Sequence, residues 1–96
     1  MIIIAGHLRV AADDRDAYLE AVADVAVLAR SFAGCHDFVQ AADPIDPERI
    51  TIYERWDDDE SLMAFRTSGG PDDGPTTPDV LGADVAKYRI SAVEDP

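Results

Sequence analysis

Cysteine, tryptophan, basic residues and long apolar runs are all scarce in this 96-residue sequence. The single cysteine, Cys35, excludes an internal disulfide and a cysteine-based zinc cluster, and it fits a reducing compartment. Only 8 lysines and arginines stand against 20 aspartates and glutamates, which gives a net charge of −12. Because so acidic a surface repels phosphate backbones and anionic lipid headgroups, we expect no nucleic-acid or membrane partner.

The apolar runs are too short to cross a bilayer. The two longest, residues 1–5 and 25–29, fall far below the roughly 20 residues that a spanning helix requires. The N-terminus also lacks the basic region of a signal peptide, so we expect a cytoplasmic protein. An apolar content of 47% is typical of a globular chain, and the length predicts one domain, residues 1–96, with a modest core.

Residues 50–66 carry the most informative pattern, a strand that passes directly into a helix. The strand ends at Trp56, and the aspartates at 57–59 can accept the free N–H groups of a helix that begins there. Arg66 then falls in the last turn of this helix. Because side chains alternate along a strand, one face carries Ile50, Ile52, Glu54 and Trp56, and the other carries Thr51, Tyr53 and Arg55.

Residues 1–10 predict a first strand whose two faces both begin apolar, as in a central strand covered on both sides. One face carries Ile2, Ile4, Gly6, Leu8 and Val10, and the other carries Ile3, Ala5, His7 and Arg9. A helix follows, with Asp13 or Asp14 as its N-cap and Gly34 as a left-handed stop. Its apolar stripe comprises Tyr18, Val22, Val25, Ala26, Ala29 and Phe32.

The remaining segments continue the alternation of strands and helices. Residues 35–41 predict a second strand, and the two prolines within residues 42–49 predict a turn into the third. Residues 67–78 are rich in glycine and proline, and they predict an irregular, exposed segment that could act as a lid. A helical turn at 79–83 and a fourth strand at 84–93 complete the chain.

The resulting order, βαββαβ, predicts an α+β, ferredoxin-like domain with a four-stranded antiparallel sheet and both helices on one face. The uncovered face would carry Leu8, Val10 or their neighbours. Because a chain this small can hide such a face only against a second copy, we expect a homodimer.

Five motifs, spread over nearly the whole chain, resemble one known family. They are Ile-Ile-Ala-Gly-His-Leu-Arg-Val at 3–10, Gly-Cys-His-Asp-Phe at 34–38, the Asp-Pro pairs at 43 and 46, Tyr-Glu-Arg-Trp at 53–56 and Ala-Phe-Arg at 64–66. Together they resemble the antibiotic biosynthesis monooxygenase family, and Tyr-Glu-Arg-Trp is the most specific of them. The resemblance implies a dimeric α/β barrel of ferredoxin-like subunits. It also implies oxidation of a quinol or polyphenol by O₂ without metal, flavin or other cofactor, as in several members.

Other members of that family degrade haem, and here the sequence departs from the pattern. The haem-degrading branch needs a histidine in or after the second helix, and no histidine follows His36. Many members also end that helix with Leu-x-x-His, whereas residues 62–65 read Leu-Met-Ala-Phe. Haem degradation is therefore the less favoured activity. The alternative from another functional class is a non-catalytic dimeric protein that binds a small ligand, since a fold does not determine function.

Cofactor-free oxygenation needs a base that converts a phenol into an electron-rich anion, because triplet O₂ reacts slowly with neutral closed-shell molecules. His7 is the candidate base, since an imidazole titrates near working pH. Trp56 is the candidate wall on which a small aromatic substrate stacks. We expect the two rings to face one water-poor hollow. The structural alternatives are a hydrogen-bonded strand histidine and a tryptophan that anchors the core.

Three further residues complete the candidate site. Asp37 would orient a histidine or bind a substrate hydroxyl, unless it points outward to water. Arg66 would stabilise a phenolate or superoxide-like charge, or else complement the C-terminal end of its helix. Tyr53 would hydrogen-bond at the rim of the cavity or merely pack. No metal site is predicted, because the third strand separates the strands of His7 and Asp37.

Overall fold

Four strands and two helices follow the predicted order. The elements are β1 (Ile2–Arg9), α1 (Arg15–Arg30), β2 (Cys35–Ala42), β3 (Arg49–Trp56), α2 (Asp59–Ser68) and β4 (Gly82–Arg89). The computed structural model describes residues 1–68 and 76–96. The strands form one antiparallel sheet in the order β2-β3-β1-β4, so the predicted ferredoxin-like plan is confirmed. No helix within these two ranges is long and apolar enough to cross a membrane.

The helix α1 packs its predicted apolar stripe against the sheet. Its buried residues are Tyr18, Val22 and Ala29. The N-cap is Asp14, the second of the two predicted residues, and the helix begins directly after a 3-10 turn (Ala12–Asp14), but the Asp14 side chain makes no hydrogen bond to the helix. The predicted left-handed stop is confirmed at Gly34, whose φ is 88°. A Cβ atom at this position would lie 2.2 Å from Ser61 Oγ, so glycine is also required by the close approach of α2.

The pairing of β1 with β3 divides the sheet into two faces. Ile2 pairs with Trp56, whereas His7 pairs with Thr51. Because cross-strand partners point to the same side and side chains alternate along each strand, the register assigns every residue to a face. The helix face, against which α1 and α2 pack, carries Ile2, Ile4, Gly6, Leu8, Ile50, Ile52, Glu54 and Trp56. The open face carries Ile3, Ala5, His7, Thr51, Tyr53 and Arg55.

The core on the helix face consists of two groups of apolar side chains. The first group contains Ile2, Ile4, Ala29, Phe38, Trp56 and Leu62. The second group contains Val10, Tyr18, Val22, Ile50 and Ile52. Val10 is fully buried in this second group and Leu8 packs beside it, so the uncovered face carries their neighbours His7 and Arg9 instead.

The edge strand β4 pairs with β1 and is exposed along its whole length. Gly6 makes this pairing possible, because its φ is 150° and a Cβ atom there would lie 1.9 Å from the carbonyl oxygen of Asp84. Any other residue at this position would clash with the backbone of β4 and would also adopt a strained conformation. The pairing of β1 with β4 at this position therefore requires glycine.

The prediction of a helical turn at 79–83 is wrong. The Leu81 N–H donates a hydrogen bond to the Arg9 carbonyl at 2.7 Å, so this segment already runs beside β1 as an extended chain before β4 begins. The unpaired edge of β1 offers backbone partners that a single isolated helical turn cannot match. Of the segment predicted to be irregular and lid-like, residues 69–75 lie outside the described ranges.

The start of α2 is held by two neighbouring aspartates. Asp58 Oδ1 accepts hydrogen bonds from the backbone N–H and the hydroxyl of Ser61, both at 2.8 Å, as expected for an aspartate N-cap. Asp59 accepts from Arg89 at 2.8 Å and from Lys87 at 2.7 Å. These bonds lower the pKa of Asp59 to about 2. The helix is thereby connected to the edge strand β4 by charged side chains.

Candidate functional site

Trp56 lies at the end of β3, within an aromatic cluster beneath α2. Its side chain is fully buried. Phe65 of α2 stacks on the indole, with ring centroids 5.4 Å apart and planes inclined by 28°. Phe65 also meets Phe32 and Phe38 edge-on, at centroid distances of 5.4 and 5.7 Å. Trp56 is therefore a core anchor, and Phe65 occupies the place against the indole that an aromatic substrate would take.

Glu54 is a buried acid two residues before Trp56, with only 8% of its surface exposed. Its Oε1 accepts a hydrogen bond from the indole Nε1 of Trp56 at 3.0 Å. Burial raises the pKa of the Glu54 carboxyl, and the Trp56 hydrogen bond opposes this shift only in part. A carboxyl in such surroundings exchanges its proton closer to neutral pH than an exposed one does, which is the property required of a general base.

Arg66 provides a positive charge for the same site. It lies in the last turn of α2, as predicted, and its side chain is exposed. Its charge lowers the pKa of Glu54 against the larger effect of burial. The Glu54 carboxyl, at the junction of β3 and α2, thus accepts a hydrogen bond from the indole N–H and is influenced by the positive charge of Arg66. Such a group could accept the proton of a bound hydroxyl.

Gln40 adds a second polar group to the helix face. It pairs with Ile52, next to the pair of Phe38 with Glu54. The Oε1 atom of Gln40 is buried and has no hydrogen-bond partner among the described residues. Because a buried acceptor without a partner costs free energy, the hydroxyl group of a ligand would be a favourable addition here.

His7 and Trp56 do not share a hollow, so this expectation is wrong. Trp56 pairs with Ile2 on the helix face, and His7 lies five residues further along β1, on the open face. An odd number of positions along a strand without a bulge always separates two faces. On the open face His7 lies between Thr51 of β3 and Asp84 of β4. A catalytic role of His7 stays a prediction, but Trp56 is not its partner.

Asp37 and Tyr53 also lie on the open face. Asp37 pairs with Arg55, and Tyr53 pairs with Ala5. The carboxylate of Asp37 is 44% exposed, accepts a hydrogen bond from the Phe38 N–H at 2.9 Å and lies 4.0 Å from Arg30 Nε. The outward alternative for Asp37 is therefore correct. The five predicted site residues are divided between the faces, with Trp56 and Arg66 on the helix side and His7, Asp37 and Tyr53 on the open side.

The other reactive side chains of the described residues do not form a second centre. His36 is exposed, and its Nε2 is hydrogen-bonded to the carboxylate of Asp57. Burial and the nearby carboxylates of Glu54 and Asp37 raise the pKa of the Cys35 thiol, so it stays protonated and weakly nucleophilic. Within residues 1–68 and 76–96, no group of three His, Cys, Asp or Glu residues could hold a metal ion.

Sequence reasoning missed Glu54 and Gln40. The alternation of β3 already placed Glu54 on the same face as Ile50, Ile52 and Trp56, and a carboxyl on an apolar face is the signal that could have identified it. Gln40 carried a weaker signal, because residues 35–41 contain several polar side chains. Its position on the helix face follows from the register of β2 with β3, which shifts between Cys35 and Asp37.

The strand order and the two helices define a ferredoxin-like α+β domain. The buried Glu54 defines a candidate site between its sheet and its second helix. The profile of the antibiotic biosynthesis monooxygenase family matches residues 1–71. The chain therefore belongs to the antibiotic biosynthesis monooxygenase family, and this membership supports a monooxygenase-like function in general terms. No curated protein matches the sequence significantly.

Solved structures agree with this fold. A candidate antibiotic biosynthesis monooxygenase from Deinococcus radiodurans is 17% identical, with a TM-score of 0.81 over 100% of this chain and 98% of that one. The haem-degrading protein MhuD of Mycobacterium tuberculosis, solved with two haems in its active site, is 17% identical, with a TM-score of 0.70 over 99% and 100% of the two chains. A protein of Chloroflexus aurantiacus, also a candidate monooxygenase of this family, is 23% identical, with a TM-score of 0.68 over 98% and 96%. At these identities the likeness establishes the fold alone.

Proposed function

We propose that the protein is a cofactor-independent monooxygenase that oxidises a phenolic or quinol-type small aromatic with O₂. Family membership supports the reaction class. The observation that carries the proposal is the buried Glu54 carboxyl, hydrogen-bonded to the indole of Trp56 in an aromatic setting. The substrate would bind on the helix face, between β3 and α2, and the proposal therefore moves the site away from His7.

The chemistry requires no external reductant if the substrate is a phenol. Removal of the hydroxyl proton leaves an anion that can pass an electron to O₂, whereas the neutral phenol reacts slowly. In the complete reaction the phenol loses four electrons and becomes a quinone. One oxygen atom becomes the new ring carbonyl, and the other leaves as water with the two hydrogens that the phenol gives up. Arg66 would stabilise the negative charge of the phenolate or of reduced oxygen.

Binding would require Phe65 to move. Phe65 stacks on Trp56, and an aromatic substrate can replace that contact with one of the same kind. Leu62 is the one buried residue of α2, and it belongs to the same core group as Trp56. Displacement of the C-terminal half of this helix would leave Leu62 in place but would give up the ring contacts of Phe65, while Asp58 and Asp59 hold the first turn.

Oxygen consumption tests the proposal directly. With a panel of quinols and phenols, at protein concentrations that saturate binding, we expect catalysed O₂ uptake above the protein-free blank for at least one compound. An anaerobic incubation serves as the control, since it should yield no quinone. Binding of these compounds without O₂ uptake would instead support a non-catalytic ligand-binding protein of the same fold.

Haem degradation remains the less favoured alternative. MhuD, a neighbour in fold, is a haem degrader. This chain has only two histidines, His7 on the open face and His36 in an exposed pair with Asp57, and neither lies on the helix face beside Trp56. Added haemin should therefore give no histidine-ligated absorption spectrum, and such a spectrum would favour this alternative.

We also propose that a second copy of the chain covers the open face, which presents Ile3, Ala5, Tyr53 and Tyr88 without a helix above them. Burying such a face against an identical one removes apolar surface from water. The net charge of −12 on each copy opposes association, so the dimer should weaken at low salt.

Sedimentation should give twice the monomer mass. Ala86→Glu on the open face should yield monomers, whereas Ala83→Glu, which faces the helix side of β4, should not. A wild-type monomer at all concentrations would contradict the proposal.

A further inference from the structure

The geometry points to Glu54 as the group that takes the proton from the substrate hydroxyl. This inference rests on the proposed monooxygenase function and deepens it, because it names the base and ties the substrate to compounds with an acidic hydroxyl. It assigns to Glu54 the role that the sequence suggested for His7.

The carboxyl of Glu54 is fixed in orientation. Its Oε1 accepts the Trp56 Nε1–H at 3.0 Å, and the indole itself is fully buried within the first core group. The other oxygen, Oε2, has no hydrogen-bond partner among the described residues. It is also not fully enclosed, since it does not belong to the buried polar atoms that lack a partner. One oxygen therefore positions the group, and the other remains able to accept a proton from a ligand.

A purely structural role does not explain an acid at this position. Glu54 pairs with Ile4 on one side and Phe38 on the other, and both of these neighbours are buried and apolar. A leucine would fill such a position without the desolvation of a carboxyl. The Trp56 N–H needs an acceptor, but a neutral glutamine would serve that purpose equally well.

The surroundings also suit proton transfer. Burial favours the neutral form of the carboxyl, so an ionised Glu54 gains by accepting a proton, while the charge of Arg66 keeps the ionised form accessible. In the proposed step, the O–H bond of the phenol breaks and its electron pair stays on the oxygen as a phenolate. The proton forms a new bond to Oε2, and the negative charge moves from Glu54 to the substrate, where Arg66 can stabilise it.

Replacement of Glu54 by glutamine tests this role. Glu54→Gln keeps the shape and the acceptor for Trp56, and we expect it to lower kcat for phenols that are neutral at the assay pH by about 10²–10⁴-fold. Affinity should change little, as measured by quenching of the fluorescence of Trp56, the single tryptophan of the chain. For phenols acidic enough to be ionised already, the deficit should nearly disappear, since they need no base. Glu60→Gln, which removes an exposed acid from the first turn of α2, serves as the matched control.

Three results would overturn the inference while leaving the monooxygenase proposal intact. They are a Glu54→Gln rate close to that of wild type, a deficit equally large for ionised phenols, and loss of turnover in His7→Ala instead.

If wild type consumes no O₂ at all, the monooxygenase proposal fails, and infrared spectra with 4-nitrophenol then decide the role of Glu54. At a pH where the free protein shows no protonated-carboxyl band, binding should produce one in wild type and none in Glu54→Gln. Absence of this band in wild type contradicts proton transfer to Glu54.

Discussion

Replacement of Trp56 by alanine should lower the free energy of unfolding by about 3–5 kcal/mol, the usual cost of deleting a large buried aromatic ring. The indole is fully buried, stacks on Phe65 and belongs to the first core group. Its loss leaves a cavity, removes an aromatic pair and leaves the buried Glu54 carboxyl without its donor. Because small domains have a total stability of about 5–15 kcal/mol, this variant should be close to unfolding at 37 °C. Urea denaturation followed by circular dichroism measures the change.

Trp56→Phe separates the two contributions of this residue. It retains an aromatic ring that can stack on Phe65, but it removes the indole N–H that donates a hydrogen bond to Glu54. We expect a smaller loss of stability, about 1–3 kcal/mol, because the ring volume is only partly lost and one buried acceptor is left unpaired. If Trp56→Ala costs less than about 1 kcal/mol, the indole is not the core anchor described above.

The stability of the protein should depend on pH through the buried carboxyl of Glu54. Burial raises the pKa of Glu54 in the folded protein above that in the unfolded chain. Folding is therefore favoured by this group below its unfolded pKa of about 4.3, and this contribution is lost as the pH rises through the folded pKa. Each unit of difference between the two pKa values corresponds to about 1.4 kcal/mol. Glu54→Gln cannot ionise, so its stability relative to wild type should increase between pH 4 and neutral pH.

Denaturation of both proteins at several pH values measures this difference. The aspartates with lowered pKa values, such as Asp43 and Asp59, change the stability of both proteins in the opposite direction and cancel in the comparison. Glu60→Gln again provides the control, and its difference from wild type should show no comparable rise. A difference between Glu54→Gln and wild type that is constant or falls with pH would show that the folded protein does not raise the pKa of Glu54.

The fold followed from local patterns in the sequence. Alternation in residues 1–10 and 50–56, the apolar stripe of α1 and the stop at Gly34 each reflect a short-range preference that the tertiary structure leaves unchanged. The segment 79–83 could not be predicted in this way. Its extended conformation depends on the backbone of Arg9, about 70 residues away, which is a long-range contact without a local signal.

The site was harder to predict, because it depends on strand register. Alternation put His7 on one side of β1 and Trp56 on one side of β3, but only the pairing of Ile2 with Trp56 shows that these sides are opposite. The composition of the faces did contain a warning. Ile2, Ile4 and Leu8 form the more apolar side of β1, and the helices should cover that side rather than the side of His7. The role proposed for Glu54 had no clear signal in the sequence, because an acid within a strand is usually exposed.

The most direct test of a helix-face site is the position of a bound substrate. Nuclear Overhauser contacts between a bound phenol or quinol and the isotope-labelled protein would locate the ligand without any assumption about turnover. A site at Glu54 predicts contacts with protons of Trp56, Phe65 and Ile4, and disturbance of the indole N–H resonance. Contacts with His7, Thr51 and Tyr53 in their place would put the ligand on the open face and would contradict the proposed site.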